Sequence, residues 1–231
     1  MSSPKAAYER MGRDWLGLGD LEAQCWFIGM EPGGDAASDK AWAVEWATKF
    51  RGAPTVDLHA CATAKELPYI ASGNRLHPTW SQLVRLRLAY AGKSTDDQSV
   101  LAYQRDHFAM ADGGEALLEV SAYASRNSSL PSPRKLYRSE RTKLLAECIG
   151  KHHPEIVVFY SLTYRRYYER IAGAFDADGF CWVGDTLCAL TLHPYQQFGK
   201  SPPPEYWITL GEDMRQRVEE RRVSIRGRSL R

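Results

Sequence analysis

Four short apolar runs punctuate the chain, roughly Cys25 to Gly29, Ala116 to Tyr123, Ile156 to Tyr160 and Leu187 to Leu192. Runs of this length that are apolar throughout suit strands buried on both faces. The stretches between them carry helical spacing. Strands that alternate with helices predict parallel pairing, since a parallel connection needs a crossover of about a dozen residues or more. The expected fold is α/β: a three-layer α/β/α sandwich around a central, mostly parallel four-stranded sheet.

The helical stretches have their own signals. Ser38 to Phe50 places Trp42, Trp46 and Phe50 at helical spacing, with Ser38 as an N-cap and Asp39 in the first turn. Pro78-Thr79-Trp80 opens a helix to Tyr90, with Thr79 as its cap. Asp96 to Met110, Ser139 to Ile149 and Thr163 to Ala172 follow, and Glu205 to Arg222 comes after the helix-breaking Pro202-Pro203-Pro204. At 231 residues the chain supports one sizeable core, so a single domain over 1–231 with a basic tail at 221–231 is expected. A hydrophobic share of 44% beside 25% charged residues is that of a soluble globular protein. No window approaches a membrane span, and Met1-Ser2-Ser3-Pro4-Lys5 lacks the apolar core of a signal peptide. The cytoplasm is the expected compartment, and a monomer the expected state.

Five cysteines, Cys25, Cys61, Cys148, Cys181 and Cys188, include no C-x-x-C pair and lie mostly in apolar segments. That spacing argues against a disulfide framework and against a zinc or iron–sulfur site. The net charge of +2 announces no polyanion partner by itself. The positive charges are nevertheless uneven. Arg126, Arg134, Lys135, Arg138, Arg141 and Lys143 crowd one segment, and Arg215, Arg217, Arg221, Arg222, Arg226, Arg228 and Arg231 crowd another. Each cluster is either a solvated face or a phosphate contact.

Ligands of open parallel sheets bind at the carboxyl ends of the strands. There the first run stops in Gly29-Met30-Glu31-Pro32-Gly33-Gly34, a turn that carries an acid, and the last run ends in His193-Pro194. An imidazole at such a point can stabilise a developing anion or move a proton near neutral pH. The Ser/Pro-rich segment from Ser125 to Arg134, which includes Ser132, follows the second run. Ser161 and Thr163 after the third run, with Arg165 and Arg166 beside them, either hold a phosphate at a helix N-terminus or cap the helix. His77 and Trp80 line either a ligand cleft or the core.

An acid-Pro-Gly turn after the first strand, a Ser/Pro-rich loop after the second and a His-Pro after the fourth together resemble the uracil-DNA glycosylase superfamily, over roughly Leu21 to Met214. The resemblance makes Glu31, within Gly29-Met30-Glu31-Pro32-Gly33, the residue that orients or deprotonates the attacking water. Gly29, Met30, Pro32 and Gly33 would then border the base pocket. It makes His193 the group that stabilises charge on the departing base. Tyr195 stands where the family's His-Pro motif continues with Ser, and Tyr195, Gln196, Gln197 and Phe198 would form a wedge loop that fills the gap left by a flipped base. Phe198 equally suits packing beneath that loop. Where family members place an Asn that reads the base edge, this chain has Glu119. An acid cannot donate as an amide does unless it is protonated, and an ionised one suits a base with an exocyclic amine.

The resemblance thus implies a DNA glycosylase-like hydrolase of the N-glycosidic bond of a flipped, damaged or deaminated base, without metal or cofactor. Nucleic acid is the implied partner, DNA ahead of RNA. Ser132, Arg134, Ser161, Arg165, Tyr195, Gln196 and Phe198 are the implied contacts. Two alternatives stay open: a non-catalytic nucleic-acid-binding member of the same fold, and a hydrolase of a free nucleoside.

Overall fold

A computed structural model describes residues 3–33, 36–62, 69–70, 74–124, 135–195 and 200–229. The chain divides into two compact units, one made of Met1–Cys61 and Ala109–Thr191, the other of Ala62–Phe108 and Leu192–Arg231. The first holds the sheet: β1 (Gly17–Gly19), β2 (Cys25–Gly29), β3 (Thr55–Val56), β4 (Glu115–Glu119), β5 (Ile156–Tyr160), β6 (Phe180–Val183) and β7 (Thr186–Thr191). It also holds the helices α1 (Pro4–Asp14), α2 (Ala36–Thr48), α3 (Leu58–Cys61), α6 (Arg138–His152) and α7 (Arg165–Ala172). Helices α4 (Trp80–Tyr90), α5 (Asp97–Asp106) and α8 (Pro204–Ser229) belong to the second unit.

Among the described residues the sheet has seven strands, in the order β3-β1-β4-β2-β5-β7-β6, where the sequence predicts four. The four predicted runs form its parallel centre, β4-β2-β5-β7. The three extra strands are short and reverse direction at the margins. β1 pairs antiparallel with β4, β3 parallel with β1, and β6 antiparallel with β7, so the sheet is mixed. β2, β4, β5 and β7 are buried along their whole length, as the uninterrupted apolar runs require. β4 stops at Glu119 rather than continuing to Tyr123. The backbone there turns to serve Tyr123, whose N–H donates to the Ser121 hydroxyl at 3.2 Å.

One face of the sheet is covered by α6 and α7. Trp26, Ile28, Leu118, Val120, Val157, Phe159, Cys188 and Leu190 share one core cluster with Leu145 and Ile149 of α6 and Tyr168 and Ile171 of α7. Each large apolar side chain so buried contributes roughly 1.5–3 kcal/mol. Because side chains alternate along a strand, Gly29, Glu119 and Tyr160 lie on the opposite face from Ile28, Leu118 and Phe159. A second cluster joins Met11 and Trp15 at α1 with Ala43 and Trp46 of α2, Val56 and Tyr123. The N-terminal helix, absent from the sequence expectation, is capped by Ser3, whose hydroxyl accepts from the N–H of Ala6, with Pro4 in its first turn.

In the second unit, Trp207, Met214 and Val218 of α8 are buried. Between them Gly211 meets α4 so closely that a Cβ would lie 2.4 Å from the carbonyl oxygen of Leu86. Helix α8 continues through the basic stretch to Ser229. Thr79 precedes α4 without a side-chain cap bond; His77 does that work instead, its Nδ1 accepting from the N–H groups of Thr79 and Trp80, each at 3.2 Å.

Candidate functional site

The site grows from the ends of three adjacent parallel strands. β2 and β4 run in register with Gly29 opposite Glu119, and the pairing continues past the strands: Val120 N–H donates to the Gly29 carbonyl at 2.9 Å and Ser121 N–H to that of Met30 at 2.7 Å. Tyr160 ends β5 on the other side of β2. Glu119 and Tyr160 are therefore two strands apart, about 9–10 Å between backbones. Their side chains nevertheless meet, with the Tyr160 hydroxyl donating to Glu119 Oε1 at 3.2 Å. They meet because the residue between them has no side chain. A Cβ on Gly29 would stand 2.3 Å from the Tyr160 hydroxyl and 2.5 Å from Glu119 Oε2.

The environment of Glu119 decides its chemistry. Burial pushes its carboxyl up to about 8; the Tyr160 hydrogen bond and the charge of Arg141 oppose that rise, and the charge of Glu31 adds to it. At neutral pH Glu119 is thus mostly a neutral acid, one O–H donor beside one acceptor oxygen. Its Oε2 is buried and has no hydrogen-bond partner among the described residues. Burial, and then the neighbouring Glu119, also push the Tyr160 phenol well above its ordinary value, so it remains a donor.

Glu31 sits two residues past β2 in an ion pair. Arg138, the first residue of α6, donates through Nη2 to Glu31 Oε2 at 3.1 Å, and the two side chains are only 8% and 10% exposed. The Arg138 guanidinium also lies over the Tyr167 ring, 5.3 Å from its centroid. One turn on, Arg141 is 1% exposed. It donates to five backbone carbonyls: Glu119 at 2.6 Å, Trp15 at 2.7 Å, Val120 at 2.8 Å, Arg13 at 3.2 Å and Gly12 at 3.5 Å. Burial lowers Arg141 to about 10, which leaves it charged at neutral pH. Two members of the basic segment around residues 126–143 thus face inward. The sequence showed the cluster but not these acceptors, since Arg138 lies 107 residues from Glu31.

The remaining expected site residues are distributed as follows. Met30 is buried and Pro32 half-buried, while Gly33 is exposed. Ser161 adopts φ 96, a strained conformation for a residue with a side chain, and makes no side-chain cap bond to the following 3-10 turn, Leu162–Tyr164. Arg165 is engaged locally, with Glu169 at 2.7 Å and the Phe175 carbonyl at 3.1 Å. His193 belongs to the second unit, whereas Glu31 and Glu119 belong to the first. Burial pulls the His193 imidazole below its ordinary value, and its Nδ1 contacts the backbone of Tyr195. Tyr195 is 48% exposed. His77 stacks on Trp80 at 4.0 Å between ring centroids. Ser132, Arg134, Gln196 and Phe198 lie outside the described residues. Asp39, read as a first-turn helix residue, is buried, and its carboxylate accepts from the N–H of Ala124 at 2.9 and 3.1 Å. It thereby fixes the chain where the Ser/Pro-rich segment begins.

Among the described residues no group of three or more His, Cys, Asp and Glu side chains is placed to hold a metal ion, and no helix is long and apolar enough to cross a membrane. In comparisons with known proteins, the sequence matches no family model and no curated protein.

Proposed function

We propose that this chain is a hydrolase of the N-glycosidic bond of a damaged or deaminated base, flipped from nucleic acid, with its chemistry at the carboxyl ends of β2 and β4. The observation that carries the reading is the pair of carboxyl groups in contrasting settings on neighbouring strand ends. Glu31 is ion-paired with Arg138, and Glu119 is buried as a neutral acid beside Tyr160. Carboxyl groups set apart in this way divide catalytic labour between an ionised partner and a proton donor. Glu31 orients or deprotonates the water that attacks the anomeric carbon and stabilises the positive charge developing there. Glu119, protonated, supplies the donor that an amide would supply, directed at an oxygen of the departing base. The helices α6 and α7 over one face of the sheet suit the three-layer architecture that the sequence resemblance implies.

The experiment is base release from single- and double-stranded oligonucleotides that carry uracil, hypoxanthine or xanthine, comparing wild type with Glu31→Gln. Loss of a positioned catalytic group costs about a hundredfold or more in rate, so release should fall by at least that factor in the variant. Equal release by both proteins removes Glu31 from the chemistry. A second reading, a non-catalytic nucleic-acid-binding protein, draws on the engagement of Glu31 by Arg138. It predicts salt-sensitive binding by wild type with no base released from any substrate.

A further inference from the structure

The proposed chemistry makes no use of two cysteines that the sheet brings together at its margin. Cys181 of β6 stands directly opposite Cys188 of β7 in the antiparallel register. Residues opposed in this way have Cα atoms about 4.5–5.5 Å apart, within the range of about 4.4–6.8 Å that a disulfide spans. Both side chains leave the same face. Cys188 is fully buried in the cluster beneath α7, and Cys181 is half-buried against that cluster, its Sγ 3.5 Å from the carbonyl oxygen of Ala172. Each thiol shifts the other's titration. Register slippage would separate them, but the hairpin turn at Gly184 and Asp185 holds the pairing, with Gly184 at φ 60 and Val183 opposite Thr186.

We propose that Cys181 and Cys188 are a dithiol redox site, which small-molecule disulfides such as oxidised glutathione convert reversibly to an intramolecular disulfide across β6 and β7. The neighbouring Cys188 pulls the Cys181 thiol below its ordinary value, while Cys181 and burial together raise Cys188 above it. Cys181 is also the more accessible of the two, because β6 is the outermost strand. It is therefore the attacking sulfur. Its thiolate displaces one glutathione thiolate from the oxidant and forms a mixed disulfide. The negative charge on Cys181 that kept the proton on Cys188 is then gone. Cys188 loses that proton, attacks the Cys181 sulfur and expels the second glutathione thiolate. The protein gives up two electrons and two protons, one of each from each thiol. They leave as two molecules of reduced glutathione.

The test treats the folded full-length protein with oxidised glutathione, blocks free thiols with N-ethylmaleimide under denaturing conditions and maps the digested peptides by mass spectrometry. The sequence has five cysteines, all of them free thiols in the structure. The expected product therefore carries three blocked thiols and a Cys181–Cys188 cross-link two hydrogens lighter than the dithiol. Dithiothreitol should restore all five. Cys188→Ala should trap a glutathione adduct on Cys181. Cys181→Ser, altered at the half-buried position, should leave Cys188 fully blocked by maleimide. Five blocked thiols in wild type, a persistent adduct on wild-type Cys181, or a cross-link between any other pair would each overturn the proposal. None of these readouts depends on base release.

Discussion

Replacing Glu119 with Gln should change the pH dependence of stability in a way that isolates one buried carboxyl. Folding raises that carboxyl from 4.5 to about 8. Between these values the folded protein holds a proton that the unfolded chain has released, so the unfolded state binds fewer protons and stability falls as pH rises. The slope is about 1.4 kcal/mol per pH unit. Over the interval of roughly 3.5 units from 4.5 to about 8, the loss comes to roughly 5 kcal/mol. Below pH 4.5 both states are protonated and the penalty vanishes; above about 8 it is complete. Gln has nearly the same shape, keeps an acceptor for the Tyr160 hydroxyl and does not titrate. The variant should lie within about 1 kcal/mol of wild type near pH 4.5 and exceed it by several kcal/mol near pH 9. Urea denaturation at intervals across that range, followed by circular dichroism, gives the difference at each pH provided the m-value is unchanged. Other groups titrate in both proteins and cancel. A wild-type-minus-variant difference that stays flat from pH 5 to 9 would refute the assignment of Glu119 as a buried neutral acid.

Further expectations concern its neighbours. Tyr160→Phe removes the one hydrogen bond that favours ionised Glu119, worth about 1.5–3 kcal/mol to a charged acceptor. The upper end of the pH-dependent interval should therefore move up by roughly one to two units; an unchanged interval would mean that the hydroxyl does not act on Glu119. Arg138→Met removes the ion pair with Glu31, whose two side chains are only 8% and 10% exposed, and should lower stability by about 3 kcal/mol. The double variant Glu31→Gln/Arg138→Met should recover most of that loss in the same urea assay. Gly29→Ala places a methyl group 2.3 Å from the Tyr160 hydroxyl, so a cost of about 1–3 kcal/mol is expected. The penalty should shrink when Tyr160→Phe is added. Arg141→Lys keeps the charge but cannot reach five carbonyls with three donors, and should destabilise the protein by about 2 kcal/mol or more.

The centre of the sheet was legible because β2 and β5 are uninterrupted apolar runs bounded by turn residues, and both strands match the predicted spans residue for residue. β1 was not legible. Gly17-Leu18-Gly19 has neither alternation nor β-branched residues, and it pairs only because β4 offers a free edge there. β6 could have been found, since Gly184-Asp185 between two apolar stretches is a two-residue hairpin signal. Ser3-Pro4 was likewise a readable helix start. At the site, the strand-end positions of Glu31 and Glu119 followed from the apolar runs. The protonation of Glu119 did not, because it depends on burial and on a tyrosine 41 residues away, across a glycine. The pairing of Arg138 with Glu31 is equally a product of tertiary packing, and a local pattern of basic residues points outward by default.

Arg141 hydrogen-bonds to its partners through their backbone carbonyl oxygens. As far as those hydrogen bonds go, side chains at positions 13, 15 and 120 are interchangeable, and sequence drift there leaves the N-terminal helix tied to the end of β4. The constraint falls instead on a single arginine, 126 residues from the Trp15 carbonyl it holds. Two chains could share this joint while differing at most of the positions that make it.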